Sequence, residues 1–529
     1  MNRFFTLFIS VLILAGCAGT DVATHDWNAE YTNVPTGTPV QMQYGSYYST
    51  FDSADSRHNI AVLLPMSGAN AAAGREIRNG MELALLQHSL NQLNVDFYDT
   101  ATNPTNAINT ALSTTPDIII GPLFSNNAQN LRTTKPEYMP AISFTSDASA
   151  VGDGVMTMAL MPTNSVELIV REIFYDGVKN FIIMAPNNDS GKIMAGTAKR
   201  AAEIYGPDVS GIFYYNEHDN ENLKNIAEMA SMSNARTSAN KRAKTILSDI
   251  LTNETLSGIE KSNLYYQLDK ISKSDTLGTL PYSGVLFLGS SDDTKTLGSF
   301  LRYYGADSKT VKFYGTAMLD GTDIASDYTM MGTKYAALPE QNQTFINLYQ
   351  QTYNAIPSRL ATFGYDAATI AMGTVFSNKN PAAYLLDPSG YAGISGIIRL
   401  KPNGDNERGL RILMANGSGT PVVVKPAPEN FITPIYNIEQ RHISPAPEMS
   451  LQTRGINPND FIKIPERYQR KYKSTTYGVN MTEPETPKQQ DTITVIKTPE
   501  SDAIIDSEYQ PVKMESINKT LIDSVELNE

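Results

Sequence analysis

The sequence predicts an α/β fold of two parallel-sheet lobes, with a helical insertion and a largely disordered C-terminal tail. Three observations carry this. Short apolar runs closed by Pro or Gly alternate with stretches of helical periodicity, the signature of strands crossed by helices. That alternation stops near residue 163 and starts again. Beyond Pro426 the composition shifts to Pro, Glu, Lys, Thr and Ser with few long apolar runs, and such a stretch buries too little apolar surface to order itself.

The chain opens on Asn2 and Arg3, an apolar run from Phe4 to Leu14, and then Leu14-Ala15-Gly16-Cys17. The run is shorter than the roughly 20 apolar residues of a bilayer span and suits the core of a signal peptide. Residues 18–57 are rich in Thr, Ser, Tyr, Gly and Asn without an apolar period, which predicts a linker.

Order is expected from His58. Ile60-Ala61-Val62-Leu63-Leu64 is continuously apolar and ends at Pro65, as in a strand buried on both faces. Ile77, Met81, Ala84, Leu85 and His88 follow at helical spacing. Strands are then expected at Val95–Tyr98, Asp117–Ile120 and Pro140–Phe144, with a polar helix near 104–114. The second unit begins with a helix over Asn164–Tyr175. Strands at Asn180–Ala185, Gly211–Tyr215, Gly284–Gly289 and Val311–Tyr314 follow, separated by helices over Gly191–Tyr205 and Thr294–Tyr304. Residues 219–281 interrupt this order and read as an inserted helical hairpin. Residues 340–376 read as helical. Gly393–Val424 reads as hairpin strands around Asn403-Gly404 and Asn416-Gly417, pairs suited to tight turns.

The expected partition is therefore a signal peptide at 1–17, a linker at 18–57, and the first lobe at 58–163. The second lobe spans 164–328 with its insert at 219–281. The chain then returns to the first lobe at 329–390, gives terminal strands to the second at 391–425, and ends in a low-order tail at 426–529. Short strands or a docking motif could still occur near 490–497.

The 529 residues are 41% hydrophobic and 18% charged, the balance of a folded protein. A formal net charge of −13 argues against nucleic acid as a partner. Enzyme signatures are thin. His25, His58, His88, His218 and His442 are scattered, and the single cysteine offers no zinc pair. There is no G-x-S-x-G elbow, and Gly152-Asp153-Gly154 lacks the third glycine of a dinucleotide loop. Ser238-Ala239-Asn240-Lys241 has S-x-x-K spacing, but it sits in the polar insert without K-T-G or S-D-N companions. Asp320, Asp323 and Asp327 miss calcium-loop spacing and read as a solvated loop. The expectation is a non-enzyme without cofactor or metal.

Several of these segments together resemble the leucine-binding type (type 1) of periplasmic binding protein. They are Ile60 to Gly68, Gly74, Arg78-Asn79-Gly80, Gly121-Pro122-Leu123-Phe124-Ser125, Pro140-Ala141-Ile142-Ser143 and Gly364-Tyr365-Asp366-Ala367. The resemblance covers roughly 58–425 without the insert and implies the two-lobed type 1 periplasmic-binding fold. It implies a ligand carboxylate held by Ser125 and the main chain at Thr145. Asp147 stands where a threonine is usual, Ala317 where an acidic residue meets the ligand's ammonium, and Ser190 where an aromatic closes over it. The amino-acid pocket therefore transfers poorly.

Ser143 to Asp147, Ala185 to Gly191 and the insert more narrowly resemble lipoproteins of the penicillin-binding protein activator group. The residues before Cys17 resemble a lipobox. These resemblances imply acylation at Cys17, a membrane-anchored periplasmic protein with the outer membrane favoured over the inner, and a role in activating a peptidoglycan synthase. The N-terminal helical repeats of the best-known members are missing from this sequence, since only the short linker precedes the fold. The alternative is a receptor for an amino acid or other small polar ligand in uptake or sensing. The residues expected to line a cleft are Ser67, Ser125, Asn126, Thr145, Ser146 and Asp147 in the first lobe, and Asn188, Asp189, Asp292 and Asp320 in the second.

Overall fold

The computed structural model describes residues 38–41, 57–86, 93–306, 309–377, 379–431, 445–449, 451 and 455–473. The expected signal peptide with Cys17, His88, His442 and the segment 490–497 lie outside them. The first strand, β1 (Val40–Gln41), falls inside the expected linker.

The first lobe runs through β2 (His58–Leu64), α1 (Ala71–Leu86), β3 (Leu93–Asp99), α2 (Pro104–Ser113), β4 (Ile118–Ile120), α3 (Ser125–Thr134), β5 (Ala141–Ser143) and β6 (Val155–Thr157). Its sheet has the order β3-β2-β4-β5-β6, parallel throughout. The unbroken apolar run of β2 serves two cores. Ile60, Val62 and Leu64 pack with Ile77, Met81 and Ala84 of α1, while Ala61 and Leu63 pack with Ala107, Ile108 and Ala111 of α2. A strand covered by helices on both faces has no polar side to show.

The second lobe holds α4 (Pro162–Tyr175), β7 (Asn180–Pro186), α5 (Asp189–Tyr205), β8 (Asp208–Tyr215), α6 (Asn220–Ala230), α7 (Ser233–Asn253), α8 (Gly258–Ser272), β9 (Gly284–Phe287), α9 (Ser291–Tyr303), β10 (Lys312–Gly315) and β11 (Lys334–Ala337). Helices α10 (Gln343–Tyr353), α11 (Arg359–Phe376) and α12 (Pro381–Leu385) follow. α11 lies against α1 at backbone distance. A Cβ on Gly80 would stand 1.9 Å from the Ala361 carbonyl oxygen, and one on Gly364 would stand 2.2 Å from that of Ile77. Glycine at both crossing points is what lets the helices meet.

Five strands close the body: β12 (Tyr391–Gly393), β13 (Gly396–Leu400), β14 (Asn406–Arg408), β15 (Arg411–Met414) and β16 (Val422–Lys425). The second sheet has the order β16-β15-β11-β10-β9-β7-β8, with β15 antiparallel to both of its neighbours and the other strands running in one direction. The chain passes between the lobes after β6, after β11 and after β14.

Five expectations need correction. β11, expected with the first lobe, pairs with β10 and β15 in the second sheet. Only β15 and β16 of the terminal strands join that sheet. β12, β13 and β14 instead form a separate sheet with β1, where Val40 pairs with Tyr391 and Gln41 with Ala392. The insert is smaller than 219–281, because α6 covers the second sheet through Leu223, Ile226, Ala227 and Ala230. The hairpin proper is α7 and α8, which have a core of their own.

The tail is the fifth correction. Ala446 to Met449 runs along the edge of β8, with Met449 bridged to Ile212, N to O at 2.8 and 3.1 Å. Residues 455–473, ending in the short helix α13 (Glu466–Gln469), cross the α7–α8 hairpin. Ile456, Ile462 and Tyr472 are buried in its core. These apolar residues are spaced too widely to show a period, and their partners lie about 200 residues earlier.

Candidate functional site

Open α/β sheets bind ligands beyond the carboxyl ends of their strands. The ten expected residues all fall on such ends: after β2, β4 and β5 in the first lobe, and after β7, β9 and β10 in the second. Most are already engaged by their own chain.

Ser67 Oγ donates to Asp99 at 2.5 Å, and the backbone N–H groups of Met66 and Ala101 donate to the same carboxylate at 2.8 and 2.9 Å. Burial pulls the Asp99 carboxyl up, and the hydrogen bonds from Ser67, Ala101 and Met66 outweigh it and hold it below its usual range. Asp147 is a cap. Its carboxylate accepts from Ser149 N at 2.9 Å and Ser149 Oγ at 2.7 Å, closing the 3₁₀ turn at Ala148–Ala150. Thr145 is buried. Its carbonyl accepts from Thr157 Oγ1 at 2.6 Å and its hydroxyl from Asp147 N at 3.2 Å. Ser146 is buried beside it, Ser125 is half-buried and Asn126 exposed at the start of α3. Phe124, the residue before that helix, gives it no side-chain cap. The first N–H groups of α3 therefore receive no side-chain cap from the residue before the helix.

In the second lobe Asn188 caps α5, accepting from Gly191 N and donating to Glu217, both at 2.8 Å. Asp189 is exposed in the first turn of α5. Asp292 is exposed and pairs with Lys295 at 3.0 Å, and Asp323 pairs with the same lysine at 2.8 Å. Asp320 is not on a solvated loop. It accepts from Leu338 N at 3.2 Å and lies 3.9 Å from Arg359 at the second lobe-to-lobe passage. Burial raises its carboxyl above the usual range against the pull of Arg359 and Arg411. The aspartates at 320, 323 and 327 thus do separate structural work, since Asp327 caps the turn at Tyr328–Met330.

The polar residues that sequence reasoning missed sit where the lobes join. Asn406 Nδ2 donates to the carbonyls of Thr157 and Ala159 at 2.8 and 2.7 Å, and Asn164 Nδ2 donates to Asn406 O and Oδ1 at 3.1 and 3.0 Å. Arg408 donates to the Met158 carbonyl and to Ser395 Oγ. Burial lowers the Arg408 guanidinium to about 10, against the pull of Asp366. The first and third passages are therefore tied to each other by buried side chains. Only their burial after folding marks them, and no local pattern does.

Among the described residues no group of three His, Cys, Asp or Glu side chains could hold a metal ion, and no helix is long and apolar enough to cross a membrane.

Two parallel-sheet lobes joined by three passages define the type 1 periplasmic-binding fold. A putative branched-chain amino acid ABC transporter protein from Rhodospirillum rubrum shares it at TM-score 0.52 and 17% identity, over 70% of this chain and all of that one. More narrowly, residues 20–268 match the model of the family described as LppC putative lipoprotein. Penicillin-binding protein activator LpoA of Mannheimia succiniciproducens is 27% identical over 167 residues, 31% of this chain and 29% of that protein. The same-named protein of Vibrio cholerae serotype O1, strain N16961, is 26% identical over 141 residues, 25% of this chain and 23% of that one. The matches thus span less than a third of these relatives' length.

Proposed function

We propose that this chain is a non-catalytic, lipid-anchored periplasmic protein that activates a peptidoglycan synthase, a penicillin-binding protein. One observation carries the reading furthest. The chain is similar to two penicillin-binding protein activators, and several of the expected ligand residues of its binding fold are engaged by the chain itself. Asp147 closes a turn, Ser67 serves Asp99, and Asn188 caps α5. A receptor for an amino acid would keep such groups for its ligand, because a buried polar contact is worth most when nothing else competes for it. The reading includes acylation at Cys17, which the match to a family described as putative lipoproteins supports, and anchoring in the outer membrane.

A thermal-shift screen joined to a binding assay tests this. The full chain should show no rise in melting temperature with the twenty amino acids at millimolar concentration, since a ligand selective for the native state must raise it. It should bind a purified bifunctional penicillin-binding protein from the same bacterium. A clear shift with one amino acid and no binding to any such synthase would favour the solute-receptor reading instead.

A further inference from the structure

The α7–α8 hairpin and the strap at 455–473 form a small module with its own apolar core, apart from the two cores of the lobe that carries it. The strap is fastened at both ends of α8. Arg467 makes two bonds of 2.7 Å to Glu260, and the Lys463 backbone donates to the Gln267 side-chain amide at 2.6 Å and accepts from it at 3.0 Å. Lys471 pairs with Glu254, and Tyr468 OH donates to Thr255 O at 2.7 Å.

The module is rich in cations. Residues 233–277 and 455–473 hold twelve Lys and Arg against seven Asp and Glu, a positive surplus in a chain of net charge −13. Glu254, Glu260 and Asp269 are ion-paired inside the module. Among the described residues, Lys241, Arg242, Lys261, Lys270, Lys463, Arg470 and Lys473 have no carboxylate within salt-bridge distance, against four carboxylates without a described cation that close, Asp249, Asp275, Asp460 and Glu466.

Beside the strap runs an apolar stripe. Glu260 and Gln267, which hold the strap, lie seven residues apart on one face of α8. Ile259 and Tyr266 each precede one of them, about 100° round the helix, and Lys270 continues their line. Ile259 is 77% exposed and Tyr266 is 71% exposed; Phe461 on the strap is half exposed. Exposed aromatic and aliphatic side chains set among cations are the composition of a protein-binding surface rather than of a solvated face.

We propose that the α8 stripe and the strap together form the docking surface for an acidic face of the synthase. This rests on the function proposed above and places its contact on the module rather than on the lobes. A protein partner fits better than an anionic lipid surface. Asp269, Asp460 and Glu466 lie between the cations, which would weaken attraction to a uniformly negative sheet but set register against a patterned one.

The test measures the affinity of the full chain for the purified bifunctional penicillin-binding protein at low and high salt. The variants are Ile259→Ser with Tyr266→Ser, and Lys270→Glu with Arg470→Glu. Tyr138→Ser, an exposed tyrosine of the first lobe, is the control, and melting curves check folding. Each double variant should bind at least about tenfold more weakly, as loss of central anchors does. The charge variant should also lose most of the salt dependence, and Tyr138→Ser should change nothing. Wild-type binding with both double variants unaffected overturns the surface and leaves the proposed function standing. No wild-type binding at all sinks both. Co-sedimentation with vesicles containing anionic phospholipid, lost in the variants while synthase binding persists, would assign the surface to the membrane and overturn the proposal.

Discussion

Asp366 and Arg408 meet over a single hydroxyl, that of Ser395, which donates to the carboxylate while accepting from Arg408 Nη1 at 3.0 Å. The same carboxylate accepts the backbone N–H groups of Ile394 and Ser395 at 2.9 and 3.0 Å, closing the turn between β12 and β13. Both charged groups are buried. The pair therefore welds α11 to the third sheet and, through the Arg408 bond to Met158 O, to the first passage between the lobes.

Removing one partner should cost more than removing both. Asp366→Ala leaves a buried guanidinium uncompensated and should lower unfolding stability by about 3–5 kcal/mol. Asp366→Ala with Arg408→Met should recover part of that loss. Urea unfolding midpoints of the single and double variants read the difference. A double variant that loses as much as Asp366→Ala and Arg408→Met added together would argue that the charges act independently.

The crossing of α1 and α11 makes a steric prediction. Gly80→Ala puts a methyl into the Ala361 carbonyl, so the helices must separate. The expected loss is about 1–3 kcal/mol, the usual cost of overpacking. A Gly177→Ala control would be strained only by its own positive φ, because nothing lies within 4 Å of it. Chemical denaturation of the two variants distinguishes steric cost from backbone cost.

The strap should loosen in acid before the lobes do. Hydrogen bonds from Arg467 and the Ser257 backbone hold the Glu260 carboxyl down at about 2, and Lys471 and Tyr472 lower that of Glu254. Depressed carboxyls give their stabilisation in full above their ordinary value near 4.5, and it is lost as the pH falls toward 2. Hydrogen exchange should therefore show residues 455–473 losing protection across that window while β2 and β7 keep theirs. Uniform loss over the whole body would contradict a separately fastened strap.

The tail also guards an edge. β8 is the last strand of its sheet, and Met449 covers it at Ile212 while Tyr214 OH donates to Ala446 O at 2.5 Å. A chain lacking residues 445–451 should expose unpaired strand groups and aggregate on warming. Light scattering against the full chain would reveal it, and equal scattering would assign the contact no protective role.

How much of this the sequence revealed depends on the reach of each signal. Ile60–Leu64 announced β2 because a strand covered on both faces is apolar at every position. The restart at Asn164 announced the second lobe. β6 and β11 were missed. The strand ends carrying Ser67 and Asn188 were visible from Pro65 and Pro186. What those side chains do was not, since their partners include Asp99 and Glu217, about 30 residues away in sequence. Gly364-Tyr365-Asp366-Ala367 was recognised as a family motif, yet its physical reasons, a glycine at a helix crossing and a buried carboxylate under a turn, appear only in three dimensions. The strap is the extreme case: Ile456, Ile462 and Tyr472 belong to a core whose other members lie on a hairpin far upstream.

The most direct measurement is the rate of glycan polymerisation by a purified bifunctional penicillin-binding protein, with and without the full chain. The account predicts a rate that climbs with added protein and levels off near equimolar, with no product from the chain alone. A rate unchanged across an excess of the protein, or turnover by the chain in the absence of the synthase, would contradict it.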